Sequence, residues 1–265
     1  MSAELESRLR LIGPSAVAVS GGVDSMALAT LAHRLLGAER IKVIHAASPA
    51  VPPEATERVR RYADLENWDL LVVDAGEFAD ANYLHNPVNR CYFCKTNLYG
   101  TIARVTSRQI LSGANVDDLG EYRPGLDAAR EHKVRHPYIE VGVGKRAVRA
   151  LAHALGLEDV AELPSSPCLS SRVETRIAID PAILMAIHAV ETLVGRRLAP
   201  KTVRCRVRRA GVVIEVDAET LDLASAGTQS GLASEIAALL PPALAQRPIG
   251  FEAYRNGSAF VGPRP

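Results

Sequence analysis

The residues best suited to chemistry are three thiols and a turn of small side chains. Cys91-Tyr92-Phe93-Cys94 sets two cysteines at C-x-x-C spacing, and Cys168 follows far downstream in Ser166-Pro167-Cys168-Leu169-Ser170-Ser171-Arg172. Taken alone, a C-x-x-C pair serves as a redox couple, as half of a zinc site or as part of an iron–sulfur site. A four-ligand zinc site lacks an obvious fourth protein ligand, because the remaining thiol, Cys205, lies in the alternating run Val203-Arg204-Cys205-Arg206-Val207-Arg208. Side chains of like parity share a face in such a run, so Cys205 turns with Val203 and Val207 towards a core and reads as structural. Three thiolates are what a 4Fe–4S cluster takes when one iron stays open to an outside ligand, and that iron could carry hydrosulfide.

The turn is Ser20-Gly21-Gly22-Val23-Asp24-Ser25, entered from the apolar run Ala16-Val17-Ala18-Val19 and left by a helix near Met26. A strand, a turn and a helix start together present backbone N–H groups and a positive dipole end, which suits phosphate. Ser20 and Ser25 add hydroxyl donors, and Asp24 makes sense if a magnesium ion lies between it and pyrophosphate oxygens. No G-x-x-x-x-G-K string occurs in the loop, so it is not a Walker A motif. It resembles the SGGxDS loop of the PP-loop ATP pyrophosphatases. That resemblance implies ATP and Mg2+ bound along Ala18, Ser20, Gly21, Gly22, Asp24 and Ser25. It also assigns to the pyrophosphate Lys145, which opens a late helix in Gly144-Lys145-Arg146-Ala147. Residues 142–147 satisfy the loose dinucleotide string G-x-G-x-x-A as well, but too late in the domain to be its first βα turn. In Ser112-Gly113-Ala114-Asn115-Val116-Asp117-Asp118, paired aspartates at a strand's carboxyl end could hold a metal or cap an Asx-type turn. The resemblance puts Gly113, Asn115 and Asp118 near ATP.

Short β-branched runs at 15–20, 41–46, 70–74 and 109–112 alternate with amphipathic stretches at 26–36, 54–66 and 95–108. Nearly all-apolar strands separated by helices predict a doubly wound parallel α/β sheet, of the PP-loop or adenine nucleotide α-hydrolase kind, covered on both faces. A further helix is expected over 145–155. After Pro181 the pattern changes to a helix over 181–194 and two alternating runs, 202–208 and 212–216, which predict a small α+β lobe. The expected division is residues 1–176 for the nucleotide domain and 177–265 for the lobe.

Composition bounds the rest. With 48% hydrophobic and 23% charged residues and a net charge of +1, the chain reads as globular with no global field for nucleic acid or membrane. The first ten residues are charged and lack a signal peptide's apolar core, so the expected location is cytoplasmic, where four cysteines are more often thiols, ligands or catalytic groups than disulfides.

Several blocks together resemble the LarE group of ATP-dependent sulfur transferases: residues 20–25, Asn89-Arg90-Cys91-Tyr92-Phe93-Cys94-Lys95, residues 112–118 with Tyr122-Arg123-Pro124-Gly125-Leu126, residues 167–172, and Val203-Arg204-Cys205-Arg206. The resemblance implies adenylation of a carboxylate on a pyridinium mononucleotide and replacement of its oxygen by sulfur, towards a pincer cofactor that holds nickel. One branch of that group sacrifices a cysteine in the Cys168 region. The other holds a 4Fe–4S cluster on three cysteines, and Cys91, Cys94 and Cys168 point to the second. Arg204 and Arg206 are implied to bind a substrate phosphate, for which guanidinium forks are suited. Arg172 could steady AMP or the sulfur donor, or form a structural salt bridge. The implied partners are the carboxylated mononucleotide, sulfide or another sulfur donor, and further copies of the chain. Near the end, Gly250-Phe251 and Tyr254-Arg255-Asn256-Gly257-Ser258 resemble the group's terminal block, but the segment between them is shortened and the tail, 261–265, is unusual. Seven basic residues between Arg196 and Arg209 keep a tRNA thiolase as the nearest alternative. An amide ligase of the NAD-synthetase kind is another, and a nucleotide-binding regulatory module without turnover a third.

Overall fold

The computed structural model describes residues 2–120, 122–164 and 167–261. They fall into two compact units, Met1–Asp80 with Asn89–Ser166, and Ala81–Val88 with Pro167–Pro265.

In the first unit, β1 (Ser15–Val19), β2 (Ile41–Ala46), β3 (Asp69–Val73) and β4 (Gln109–Ser112) form one parallel sheet in the order β3-β2-β1-β4. Alternation decides the faces. Val17, Val19 and Val43 join one core with Met26 and Leu28 of the Val23–Leu36 helix, Val59 and Tyr62 of the Pro53–Glu66 helix, and Val148 and Ala152 of the Lys145–Ala154 helix. Ala16, Ile44 and Ile110 turn the other way, onto Tyr99 and Ile102 of the Arg90–Val105 helix and Ala129 of the Pro124–Glu131 helix. Both faces are thus covered, as a sheet with such apolar strands requires. The chain steps from β1 outward through β2 to β3 and then returns to the far side of β1 as β4, so the strand order reverses between β1 and β4. In open α/β sheets ligands bind beyond the carboxyl ends at that reversal.

The four expected strands lie within a residue of their predicted ends. The helix predicted over 95–108 instead begins at Arg90 and ends at Val105, so the C-x-x-C pair lies in its first turns rather than in a loop before it. Asn89 at its start makes no side-chain cap, which removes the usual local signal for a helix start.

In the second unit the Pro181–Leu198 helix starts on Asp180, whose carboxylate accepts the N–H groups of Ala182 and Ile183. It packs on a three-stranded sheet of β5 (Val203–Arg208), β6 (Gly211–Val216) and β7 (Ile249–Ala253), in which β5 and β6 are antiparallel and β6 and β7 parallel. The third strand was not expected from the sequence. Asn86, from the short segment that precedes the cysteine helix, is wholly buried and donates from Nδ2 to the carbonyls of Glu174 and Ile177, both at 2.9 Å. Arg176 N–H returns a bond to the Asn86 carbonyl at 2.8 Å, and Ile179 N–H one to Leu84 at 2.9 Å.

Candidate functional site

Ser20 and Ser25 close the loop after β1: Ser20 N–H donates to Ser25 Oγ at 3.1 Å, and Ser25 Oγ donates to the Gly22 carbonyl at 3.2 Å. Gly21 has φ +82°, and a Cβ there would stand 2.8 Å from the Ala55 carbonyl oxygen, so both backbone conformation and space require glycine. Gly22 begins the Val23–Leu36 helix without a side-chain cap. First-turn N–H groups left without such a cap form a phosphate cradle.

The loop after β4 meets this one. A Cβ on Gly113 would lie 2.8 Å from both the Asp24 carbonyl carbon and the Ser25 nitrogen, so glycine is what lets the two backbones touch. Ala18 pairs across the sheet with Ser112 at the same reversal point. Asn115, only 3% exposed, donates from Nδ2 to Asp24 Oδ1 at 3.1 Å, and Lys145 Nζ pairs with Asp24 Oδ2. The buried Tyr138 hydroxyl donates to the Asp24 carbonyl at 3.2 Å. Asp24, Asn115 and Lys145, far apart in sequence, thus converge at the cradle.

Asp117 and Asp118 order their loop. Asp118 accepts the Asn115 N–H at 3.0 Å and pairs with Arg123 at 2.9 Å. Asp117 accepts the Lys145 N–H at 2.5 Å, which caps the Lys145–Ala154 helix from a neighbouring loop and aims the lysine.

Cys91 and Cys94 lie one helical turn apart, both half-buried. The Gly125 turn borders them, since a Cβ on Gly125 would come within 3.0 Å of Lys95 Cγ and 3.6 Å of the Cys91 carbonyl oxygen. None of the four cysteines is in a disulfide. Among the described residues no group of three His, Cys, Asp or Glu side chains stands ready to hold a metal ion. The C-x-x-C pair has the residue type and spacing that iron–sulfur ligation uses.

In the second unit Cys168 is half-buried at the start of the short helical turn Leu169–Arg172. Arg172 is 2% exposed, forks onto Glu191 at 2.9 and 3.1 Å, and donates to the Cys168 carbonyl at 3.0 Å. Its guanidinium is therefore engaged in a buried salt bridge that shapes the cysteine turn. Cys205 is wholly buried, and burial pushes its thiol far above the ordinary range.

The outer face of β5 carries arginines that are buried or half-buried. Arg206 is 4% exposed, donating to Glu215 at 2.8 Å and to the Ser171 carbonyl at 3.1 Å. Arg208 donates to the other Glu215 oxygen at 2.7 Å, and Ser258 also donates to this fully buried carboxylate. The Arg204 guanidinium lies 5.8 Å from the Tyr254 ring centre, and desolvation, then the nearby Arg172 charge, lowers its pKa. Residues 254–258 supply this cover from far downstream, which residue parity cannot reveal. Within the basic run, Arg197, Lys201, Arg206, Arg208 and Arg209 all pair with carboxylates.

A parallel sheet with helices on both faces and a glycine loop at its strand-order reversal define an α/β protein of the PP-loop type. No family model matches the chain. It is 36% identical over 209 residues to the uncharacterized protein slr1717 of Synechocystis sp., covering 77% of each. It is 27% identical over 208 residues to the pyridinium-3,5-bisthiocarboxylic acid mononucleotide synthase of Lactiplantibacillus plantarum, covering 77% of this chain and 75% of that one. A third relative, the uncharacterized protein MJ0830 of Methanocaldococcus jannaschii, is 25% identical over 205 residues, 76% of this chain and 77% of that one. The chain belongs to one family with the Synechocystis protein.

Proposed function

We propose that this protein is an ATP-dependent sulfur transferase that adenylates a carboxylate of a pyridinium mononucleotide and replaces its oxygen with sulfur. The convergence of Asp24, Asn115 and Lys145 on the Ser20–Ser25 cradle carries the ATP part. The name of the Lactiplantibacillus relative, a mononucleotide bisthiocarboxylic acid synthase, carries the substrate part.

In this reading the carboxylate attacks the α-phosphate, and Lys145 turns from Asp24 to the leaving pyrophosphate, whose charge it and the loop N–H groups stabilise by fixed placement. Asp24, released by that turn, is the residue that would hold Mg2+. Arg204, near the Tyr254 ring, and Arg206, beside Glu215, are the proposed contacts for a substrate phosphate. Cys91, Cys94 and Cys168 are the proposed ligands of a 4Fe–4S cluster, which supplies an open iron for sulfide.

Two measurements test this. Substrate-dependent pyrophosphate release should be abolished in Asp24→Asn without loss of the fold, and wild-type turnover by that variant would remove Asp24 from the site. Anaerobic reconstitution should load about four irons, which serine at Cys91, Cys94 or Cys168 should abolish while serine at Cys205 leaves it intact. If no iron binds and Cys168 loses its sulfur after one turnover, the sacrificial-cysteine mechanism replaces the cluster.

A further inference from the structure

The Pro53–Glu66 helix backs the phosphate loop from the side away from β4. Its first turn touches Gly21 through Ala55, and one turn later Arg58 Nη1 donates to the Gly21 carbonyl at 2.9 Å. Two residues before Arg58, Thr56 Oγ1 lies 2.8 Å from Nε2 of the buried His45, whose Nδ1 lies 2.8 Å from the Val19 carbonyl oxygen. The backbone that enters the loop is therefore held from behind at two alternate carbonyls. One support is a charged donor, the other a histidine relay.

A trans peptide points its C=O and N–H in opposite directions. Tying the Gly21 carbonyl back to Arg58 therefore turns the Gly22 N–H forward, away from the Pro53–Glu66 helix and into the cradle. Two consecutive glycines give this peptide little resistance of its own to flipping, since glycine occupies both signs of φ readily. A flip would replace a donor with a carbonyl oxygen facing the phosphates.

We propose that Arg58 is a positioning residue for the nucleotide, fixing the Gly21–Gly22 peptide so that its N–H serves the β- and γ-phosphates. This rests on the ATP reading of the loop, and the test separates the two. Calorimetric titration of Mg·ATP and of AMP into wild type, Arg58→Ala and Arg58→Lys is the experiment. Arg58→Ala should bind ATP about tenfold more weakly, the scale of one lost bond from a charged donor. AMP, which lacks the outer phosphates, should bind unchanged, and Arg58→Lys, which keeps a cationic donor, should recover most of the loss. Unchanged ATP affinity in Arg58→Ala, or equal losses for ATP and AMP, would overturn the proposal. If Arg58→Ala does not fold, Arg58→Gln takes its place, with the same outcomes decisive. Wild type that binds no ATP would overturn the nucleotide reading itself, and the role of Arg58 with it.

Discussion

His45 shows how much a single buried side chain can fix. A carbonyl only accepts, so Nδ1 donates to the Val19 carbonyl, and Nε2 shares a hydrogen bond with the Thr56 hydroxyl. Burial, the largest cause, lowers its pKa below the ordinary 6.5, against the opposing pull of the Val19 carbonyl, and Arg60 adds to the lowering. His136 is lowered for the same first reason. A folded state that resists protonation binds fewer protons than the unfolded chain. The stability these rings contribute is then complete above 6.5 and drains away as pH falls below it. Thermal midpoints should drop between neutral pH and pH about 5, and His45→Gln should shallow that slope. An unchanged slope would mean that His45 takes up its proton equally in the folded and unfolded states. At this scale the sequence was legible where a type and a spacing suffice, as in the turn Ser20–Ser25 between strand and helix and in the burial of Cys205. It was silent on His45 and Arg58, which sit in no motif and act only because β2 and the next helix bring them behind the loop.

At the scale of elements, the site depends on two loops in backbone contact. Because a Cβ on Gly113 would fall 2.8 Å from the Asp24 and Ser25 backbone, Gly113→Ala forces them apart. Overpacking of this kind costs about 1–3 kcal/mol, so the melting temperature should fall and ATP affinity with it. A variant with wild-type values for both would mean the loops move aside freely. The strands of the first unit were readable because each is a short apolar run flanked by turn residues, and period alone assigns its faces. β7 was not, since its parallel pairing with β6 joins segments separated by three helices. The burial of Arg206 and Glu215 escaped for a related reason. Alternation says which side chains share a face, but not that residues 254–258 will cover it, and a row of arginines then looks like a solvated surface.

At the scale of the whole molecule, the near-neutral net charge is matched by local neutralisation, since most of the basic run between Arg196 and Arg209 is paired. No helix among the described residues is long and apolar enough to cross a membrane. The placement of Asn86 has a further effect. The segment Ala81–Val88 belongs to the second unit yet is made before the cysteine helix and β4, so the ribosome releases it well ahead of Glu174 and Ile177, its hydrogen-bond partners. During synthesis the first unit must therefore close around a loop whose own anchorage does not yet exist. A fragment of residues 167–265 should likewise unfold without a cooperative transition, and a synthetic peptide of residues 81–88 should restore one when added in excess. Cooperative unfolding of the fragment alone would show that the inserted segment is dispensable. On this expectation, where the chain can be cut and still assemble follows the hydrogen bonds of Leu84 and Asn86 rather than the order of the residue numbers.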